Sequence, residues 1–247
     1  AFFAPVVTAQ AVYIVDRDSF TPVYEREAHR RMYPASTAKI LTALVAYDIY
    51  KPDDKIKLKS VLEDGQVMGL VQGEEITVEN LLYGTLVHSG NDAAYALAQP
   101  TGIETFMKKV NEKARQLHMQ NTFFKNPAGL HDPLQRTSAF DLSLAGRALL
   151  DNPYLSKIVS TKEIEIADTQ YRIFHKLVNV NKLLGEIPGV GGLKTGYTIE
   201  SGENLVSLYR RSDGHELIIV VLNSLDRFED TKSIVTWIDQ NVAYVKE

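Results

Sequence analysis

Residues 33–44 read Tyr33-Pro34-Ala35-Ser36-Thr37-Ala38-Lys39-Ile40-Leu41-Thr42-Ala43-Leu44. Ile40, Leu41, Leu44, Val45 and Ile49 recur with helical period, so a helix of about fifteen residues is predicted after Pro34-Ala35, ended by Pro52-Asp53-Asp54. Ser36 and Lys39 then stand at i and i+3 on one face, roughly 5–6 Å apart at Cβ. Serine becomes a nucleophile when a neighbour takes its proton. Lysine can do so only when neutral, so its reference pKa of about 10.4 must be lowered by burial or by a second cation. Free N–H groups at a helix start also suit an oxyanion. By itself, S-x-x-K is expected about once by chance in a chain of ordinary composition, and its plain alternative is a helix-start serine beside a solvated lysine.

Outward from this stretch, residues 11–27 predict a β-hairpin turning at Asp16 to Ser19. After the first helix, Lys55 to Leu62 alternates. Thr77 reads as an N-cap for a helix carrying Val78, Leu81, Leu82, Thr85 and Leu86. Asn91 to Ala98 resumes helical, and Thr101-x-x-Glu104 reads as a capping box. Residues 120–137 form a long Asn/Pro/Gly-rich loop, followed by a helix at 138–150. Strands are predicted at 162–167, 171–178, 192–198, 204–210 and 216–223, with a closing amphipathic helix from Thr231 to Val245. Strands, a helical block, strands and a helix make an α+β layout of two lobes, with a groove where they meet.

Two further motifs carry chemistry. Ser89-Gly90-Asn91 lies between helices; its hydroxyl can relay a proton and its amide can hold a substrate carbonyl, although all three are ordinary turn formers. Lys194-Thr195-Gly196 sits in a predicted strand, where the lysine brings charge toward an anion and the glycine admits a ligand backbone. The three motifs lie 53 and 105 residues apart, in the order S-x-x-K, S-x-N, K-T-G. A Ser-His-Asp scheme lacks a G-x-S-x-G elbow, so His88 and His131 are expected to be structural or solvated. Tyr83 and Trp237 are expected in the core, and Asp92 at a helix N-terminus.

The 247 residues carry 27 Lys and Arg against 31 Asp and Glu, a net charge of −4 without the basic face that nucleic acid requires. Arg30-Arg31 is only a pair. With no cysteine, disulfides and thiol chemistry are excluded, and the six histidines include no HExxH. The longest aliphatic run, Leu217 to Leu222, is far short of the roughly 20 residues of a membrane span.

The joint pattern resembles the low-molecular-mass penicillin-binding proteins of the D-alanyl-D-alanine carboxypeptidase type. Besides residues 33–44, the resemblance is carried by Ile76-Thr77-Val78-Glu79-Asn80-Leu81-Leu82-Tyr83-Gly84 and by Ser89-Gly90-Asn91-Asp92-Ala93-Ala94. Asn126-Pro127-Ala128-Gly129-Leu130, Asn179-Val180-Asn181-Lys182-Leu183-Leu184 and Gly192-Leu193-Lys194-Thr195-Gly196 add to it. It implies a β-lactamase/transpeptidase-like fold, an antiparallel five-stranded sheet flanked by helices plus an inserted all-helical lobe. Residues 1–247 would form one catalytic domain, with a sheet lobe at about 1–35 and 160–247 and a helical lobe at about 36–159. No C-terminal β-domain or membrane anchor is expected in it.

The resemblance implies Ser36 as nucleophile and Lys39 as base, with Ser89 and Asn91 completing the network. Lys194 and Thr195 would hold a terminal carboxylate, Gly196 and Tyr197 would complete the substrate-binding set, and the N–H groups of Ser36 and Tyr197 would hold an oxyanion. The implied reaction removes the terminal D-alanine of peptidoglycan stem pentapeptides without metal or organic cofactor, and β-lactam antibiotics would acylate Ser36. The implied place is extracytoplasmic, in the periplasm or on the outer face of the cytoplasmic membrane, with membrane association only through a segment absent from this chain. The middle motif is S-G-N where class A β-lactamases have S-D-N, and residues 120–137 offer no clear glutamate for a deacylating water. Val180 stands where some relatives carry an arginine, leaving Lys182 as the expected substitute, and Ser201 stands where alanine is frequent. Alternatives are a DD-endopeptidase, a β-lactamase and a non-catalytic peptidoglycan-binding module of the same fold.

Overall fold

The computed structural model describes residues 3–245; Ala1, Phe2, Lys246 and Glu247, which the single-domain expectation also spans, lie outside the described residues. In chain order the elements are β1 (Ala11–Asp16), β2 (Pro22–Arg26), α1 (Lys39–Ile49), β3 (Lys55–Lys57), β4 (Glu75–Thr77), α2 (Val78–Leu86), α3 (Asn91–Ala98) and α4 (Ile103–Gln116). There follow α5 (Ala139–Leu150), α6 (Pro153–Val159), β5 (Glu163–Ala167), β6 (Phe174–Val178), β7 (Val190–Thr198), β8 (Gly202–Arg210), β9 (Glu216–Ser224) and α7 (Arg227–Asn241).

The class is α+β, around a five-stranded antiparallel sheet of order β2-β1-β9-β8-β7. β1 is buried along its whole length because it lies inside the sheet, with apolar side chains to both faces. One face packs on α7, where Ile234 and Ile238 meet Val12, Ile14, Leu205 and Ile219. The other face shares a single apolar core with the helices. Helix α5 joins the two layers: a Cβ on Gly146 would lie 3.1 Å from Leu193 and 3.3 Å from Val206, so the helix rests directly on the sheet. The lobe inserted between the sheet strands holds α1 to α4 and also the two-stranded ribbon β3–β4. The β5–β6 hairpin does not join the large sheet; Thr169 N donates to Glu75 O at 2.8 Å and Asn80 Nδ2 to Ala167 O at 2.9 Å.

Several element boundaries differ from expectation. Ala35–Ala38 is a 3-10 turn, and the α-helix begins only at Lys39. Ala35 has φ 48, a left-handed torsion that a continuous α-helix cannot contain. Every residue of α1 from Lys39 to Ala46 is buried, because the helix runs through the middle of its lobe rather than along a surface. Thr77 caps α2 as expected, accepting from Asn80 N at 3.2 Å. No Thr101–Glu104 box forms: Gly102, at φ 86, precedes α4, Thr101 Oγ1 pairs with Tyr50 Oη at 2.6 Å, and Glu104 turns to Lys108. Asp226 starts α7 earlier than Thr231 by accepting from Glu229 N at 3.0 Å, and the helix ends at Asn241.

Candidate active site

The Ser36 turn is pinned from two strands and one loop. Asn204 of β8 donates through Nδ2 to Tyr33 O at 3.0 Å and Pro34 O at 3.1 Å. Thr37 Oγ1 donates to Pro34 O at 2.6 Å. A Cβ on Gly196 of β7 would stand 3.0 Å from Ser36 N and Thr37 N, and one on Gly129 would stand 1.9 Å from Ala35 O. Both contacts require glycine, and together they press the turn into the groove between sheet and helices.

Lys39 lies directly beneath. Its fully buried Nζ is 2.7 Å from Ser36 Oγ, 2.8 Å from Asn91 Oδ1 and 2.8 Å from Ala128 O. Burial lowers its pKa from 10.5 to about 7, against the opposing pull of Asp92. Asn91 Nδ2 donates to Asp64 O at 3.0 Å. Its carbonyl oxygen and one N–H thus have protein partners, which fix the amide's orientation beside Lys39. Ser89, at φ 58, presents Oγ to Lys194 Nζ at 2.9 Å. Lys194 Nζ also donates to Thr195 O at 2.9 Å. Burial, then Lys39 and Arg227, hold its pKa well below the ordinary lysine value. Thr195 is buried and Tyr197 exposed on the same strand.

Sequence reasoning missed Arg227. It is half-buried and donates through Nη1 to Gly196 O at 3.0 Å, beside Lys194. Lys182, expected to substitute for an arginine at Val180, is exposed, with its ammonium 5.8 Å from the Phe228 ring. Also missed was the clamp on residues 62–74, which back the Ser89–Asn91 turn. Buried Asp92 accepts from Met68 N, Gly69 N and Leu70 N at 2.9, 3.0 and 3.0 Å. Buried Glu74 accepts from Val71 N at 3.0 Å and meets His175 Nε2 of β6 at 2.7 Å. Burial works against charge on His175, yet Glu74, the Met68 backbone and Asp92 together raise its pKa. His88 Nε2 lies 3.0 Å from Val67 O, and His131 packs edge-on to Tyr33, 3.9 Å from Glu200; neither meets Ser36. Tyr83 is buried, and Trp237 packs on Tyr24.

The fold is that of penicillin-binding proteins and DD-transpeptidases. The Streptomyces K15 DD-transpeptidase superposes with TM-score 0.89 at 28% identity, over 95% of this chain and 98% of that one. A D-alanyl-D-alanine carboxypeptidase from Mycobacterium tuberculosis H37Rv does so with TM-score 0.88 at 29% identity, over 96% and 92%. The family model of D-alanyl-D-alanine carboxypeptidase, peptidase S11, matches residues 2–226, and the chain belongs to this family. It is 33% identical over 221 residues to D-alanyl-D-alanine carboxypeptidase DacF of Bacillus subtilis, covering 86% of this chain and 57% of the relative. To DacC of Escherichia coli it is 33% identical over 256 residues, covering 95% and 62%. The chain thus spans less than two thirds of the length of these curated relatives.

Proposed function

We propose that this protein is a serine-type D-Ala-D-Ala carboxypeptidase that removes the terminal D-alanine of peptidoglycan stem pentapeptides and is acylated by β-lactams. The observation that carries this is the 2.7 Å contact of Lys39 Nζ with Ser36 Oγ, made by an amine whose other two partners are acceptors. A neutral Lys39 gives its two N–H bonds to Asn91 Oδ1 and Ala128 O and turns its lone pair to the Ser36 hydroxyl. Ser36 Oγ attacks the scissile carbonyl carbon as its proton passes to Lys39. The developing oxyanion lies between the N–H groups of Ser36 and Tyr197. The C–N bond then breaks, the departing amine takes a proton through the Lys39 and Ser89 network, and water hydrolyses the ester.

The substrate's terminal carboxylate sits by Lys194, Thr195 and Arg227. It supplies the counter-charge that buried Lys194 lacks. Such a substrate adds as a further strand along β7, the open edge of the sheet, and Gly196 lets it approach. Its natural setting is extracytoplasmic, at the cell wall.

Incubation with a penicillin, followed by intact mass and peptide mapping, tests the assignment. A lasting adduct on Ser36 together with D-alanine release from a pentapeptide is expected. Drug hydrolysis without an adduct would instead favour a β-lactamase, and cleavage of crosslinked but not linear peptides an endopeptidase.

A further inference from the structure

Past the end of β7, beside Tyr33, lies a cavity of about 440 Å³ that reaches Gln10 and Asn223 and is lined by Arg30, Arg31 and Arg136 together with Leu134 and Glu200. The arginines are far apart in sequence but are brought together by a short antiparallel bridge. Met32 and Thr137 exchange both backbone hydrogen bonds, at 2.8 and 2.9 Å, which sets Arg136 opposite Tyr33. Alternation along the chain then puts Arg31 on the face that carries Tyr33. None of the three guanidinium groups meets a carboxylate among the described residues. Arg31 is oriented through Nε by Asn121 Oδ1 at 3.1 Å, and Arg136 lies 5.5 Å from the Phe123 ring. Arg136 Nε is buried without a hydrogen-bond partner. The single lining carboxylate, Glu200, faces His131 at 3.9 Å. In a protein of net charge −4, a cavity lined by three arginines that have no carboxylate partner among the described residues suits an anion.

The direction of β7 says which part of a ligand arrives there. With the terminal carboxylate at Lys194 and the scissile carbonyl at Tyr197, the acyl side of an extended substrate runs on toward Glu200 and Ser201. Three residues of strand span about 10 Å. We propose that this cavity is an acyl-side subsite for a substrate carboxylate two or three residues before the scissile bond, held by Arg31 and Arg136 with Arg30 at the rim. The inference rests on the carboxypeptidase assignment above, since that sets the direction of the substrate.

The test uses two peptides ending in D-Ala-D-Ala, one with a γ-linked D-glutamate two residues before that pair and one with its free α-carboxylate amidated. The wild-type protein is expected to cleave the acid with kcat/KM about fivefold above the amide, the difference lying in KM and shrinking with salt. In Arg31→Gln and in Arg31→Gln/Arg136→Gln the ratio is expected to fall toward one. Arg31 is exposed, so the single variant tests the site even where the double variant's thermal transition shows a folding defect. Equal rates for the two peptides in the wild type, or a ratio that survives in the single variant, would overturn the subsite. Calorimetric titration of Ser36→Ala with the same peptides separates the two claims. Tighter binding of the acid there, with no D-alanine released by the wild type, would keep the subsite and remove the carboxypeptidase assignment.

Discussion

Lys39 holds its proton only at a cost, because its amine is sealed from water and Asp92 offsets that burial only in part. The rate of Ser36 acylation by a penicillin is therefore expected to rise with pH through about 7 and then level off. The apparent midpoints belong to the Lys39–Lys194 pair together, since each depends on the other's charge. Stability follows the same sign. Between about pH 7 and the unfolded value of about 10.4 the unfolded chain binds the extra proton, so stability rises with pH across that window. Lys39→Arg keeps the charge but cannot give up its proton, and acylation is expected to slow by about a thousandfold. Arg227→Gln loses a charged donor beside Gly196; KM for D-Ala-D-Ala peptides is expected to rise about tenfold, which steady-state kinetics will read. Ser36, Lys39 and Lys194 were legible because their chemistry sits in short local patterns. Arg227 was not, because it reaches Gly196 only through the antiparallel path of β7, β8 and β9.

Residues 62–74 have little regular structure and owe their place to two carboxylates, Asp92 within the site and Glu74 against the β5–β6 hairpin. His175→Gln removes the charge that faces buried Glu74 and is expected to cost about 3 kcal/mol in denaturant unfolding. Amide exchange at Met68 to Leu70 is expected to quicken in the same variant, because their anchor is the clamped segment. His175 has a raised pKa, so its contribution is complete below the unfolded histidine value of about 6.5 and is lost as pH climbs through the folded one. Unchanged exchange in the variant would mean that Asp92 alone fixes the segment. Sequence reading found Thr77 at the start of α2, where a side-chain cap is visible locally. It missed α6, although Asn152 accepts from Tyr154 N and Leu155 N and is followed by Pro153, because seven residues are too few to display a period.

The helical lobe and one sheet face share a core, with Leu193, Val206 and Ile218 among the same apolar contacts as Leu41, Leu82 and Phe106. Calorimetry is accordingly expected to show one cooperative transition, and two resolved transitions would mean that the lobes are independently stable. Gly146→Val wedges a side chain between α5 and β7, lowering that transition by several degrees and slowing acylation through the displaced Lys194 strand. The α+β layout was legible from the order of strands and helices. The path of β5–β6 was not, since its alternation looks the same whether a hairpin joins the large sheet or lies beside the ribbon.

A row of backbone groups that welcomes one extended peptide also welcomes a neighbour's strand, so the groove edge is a colloidal hazard as well as a binding surface. The opposite edge, β2, is blunted by Pro22, Glu25 and Arg26. On β7, the register break between Val190 and Leu193 and the Ser36 turn packed on Gly196 leave only a short open stretch. Filling that stretch with a covalent penicillin should make concentrated solutions of this protein less prone to self-association, a difference that light scattering can follow as the drug reacts.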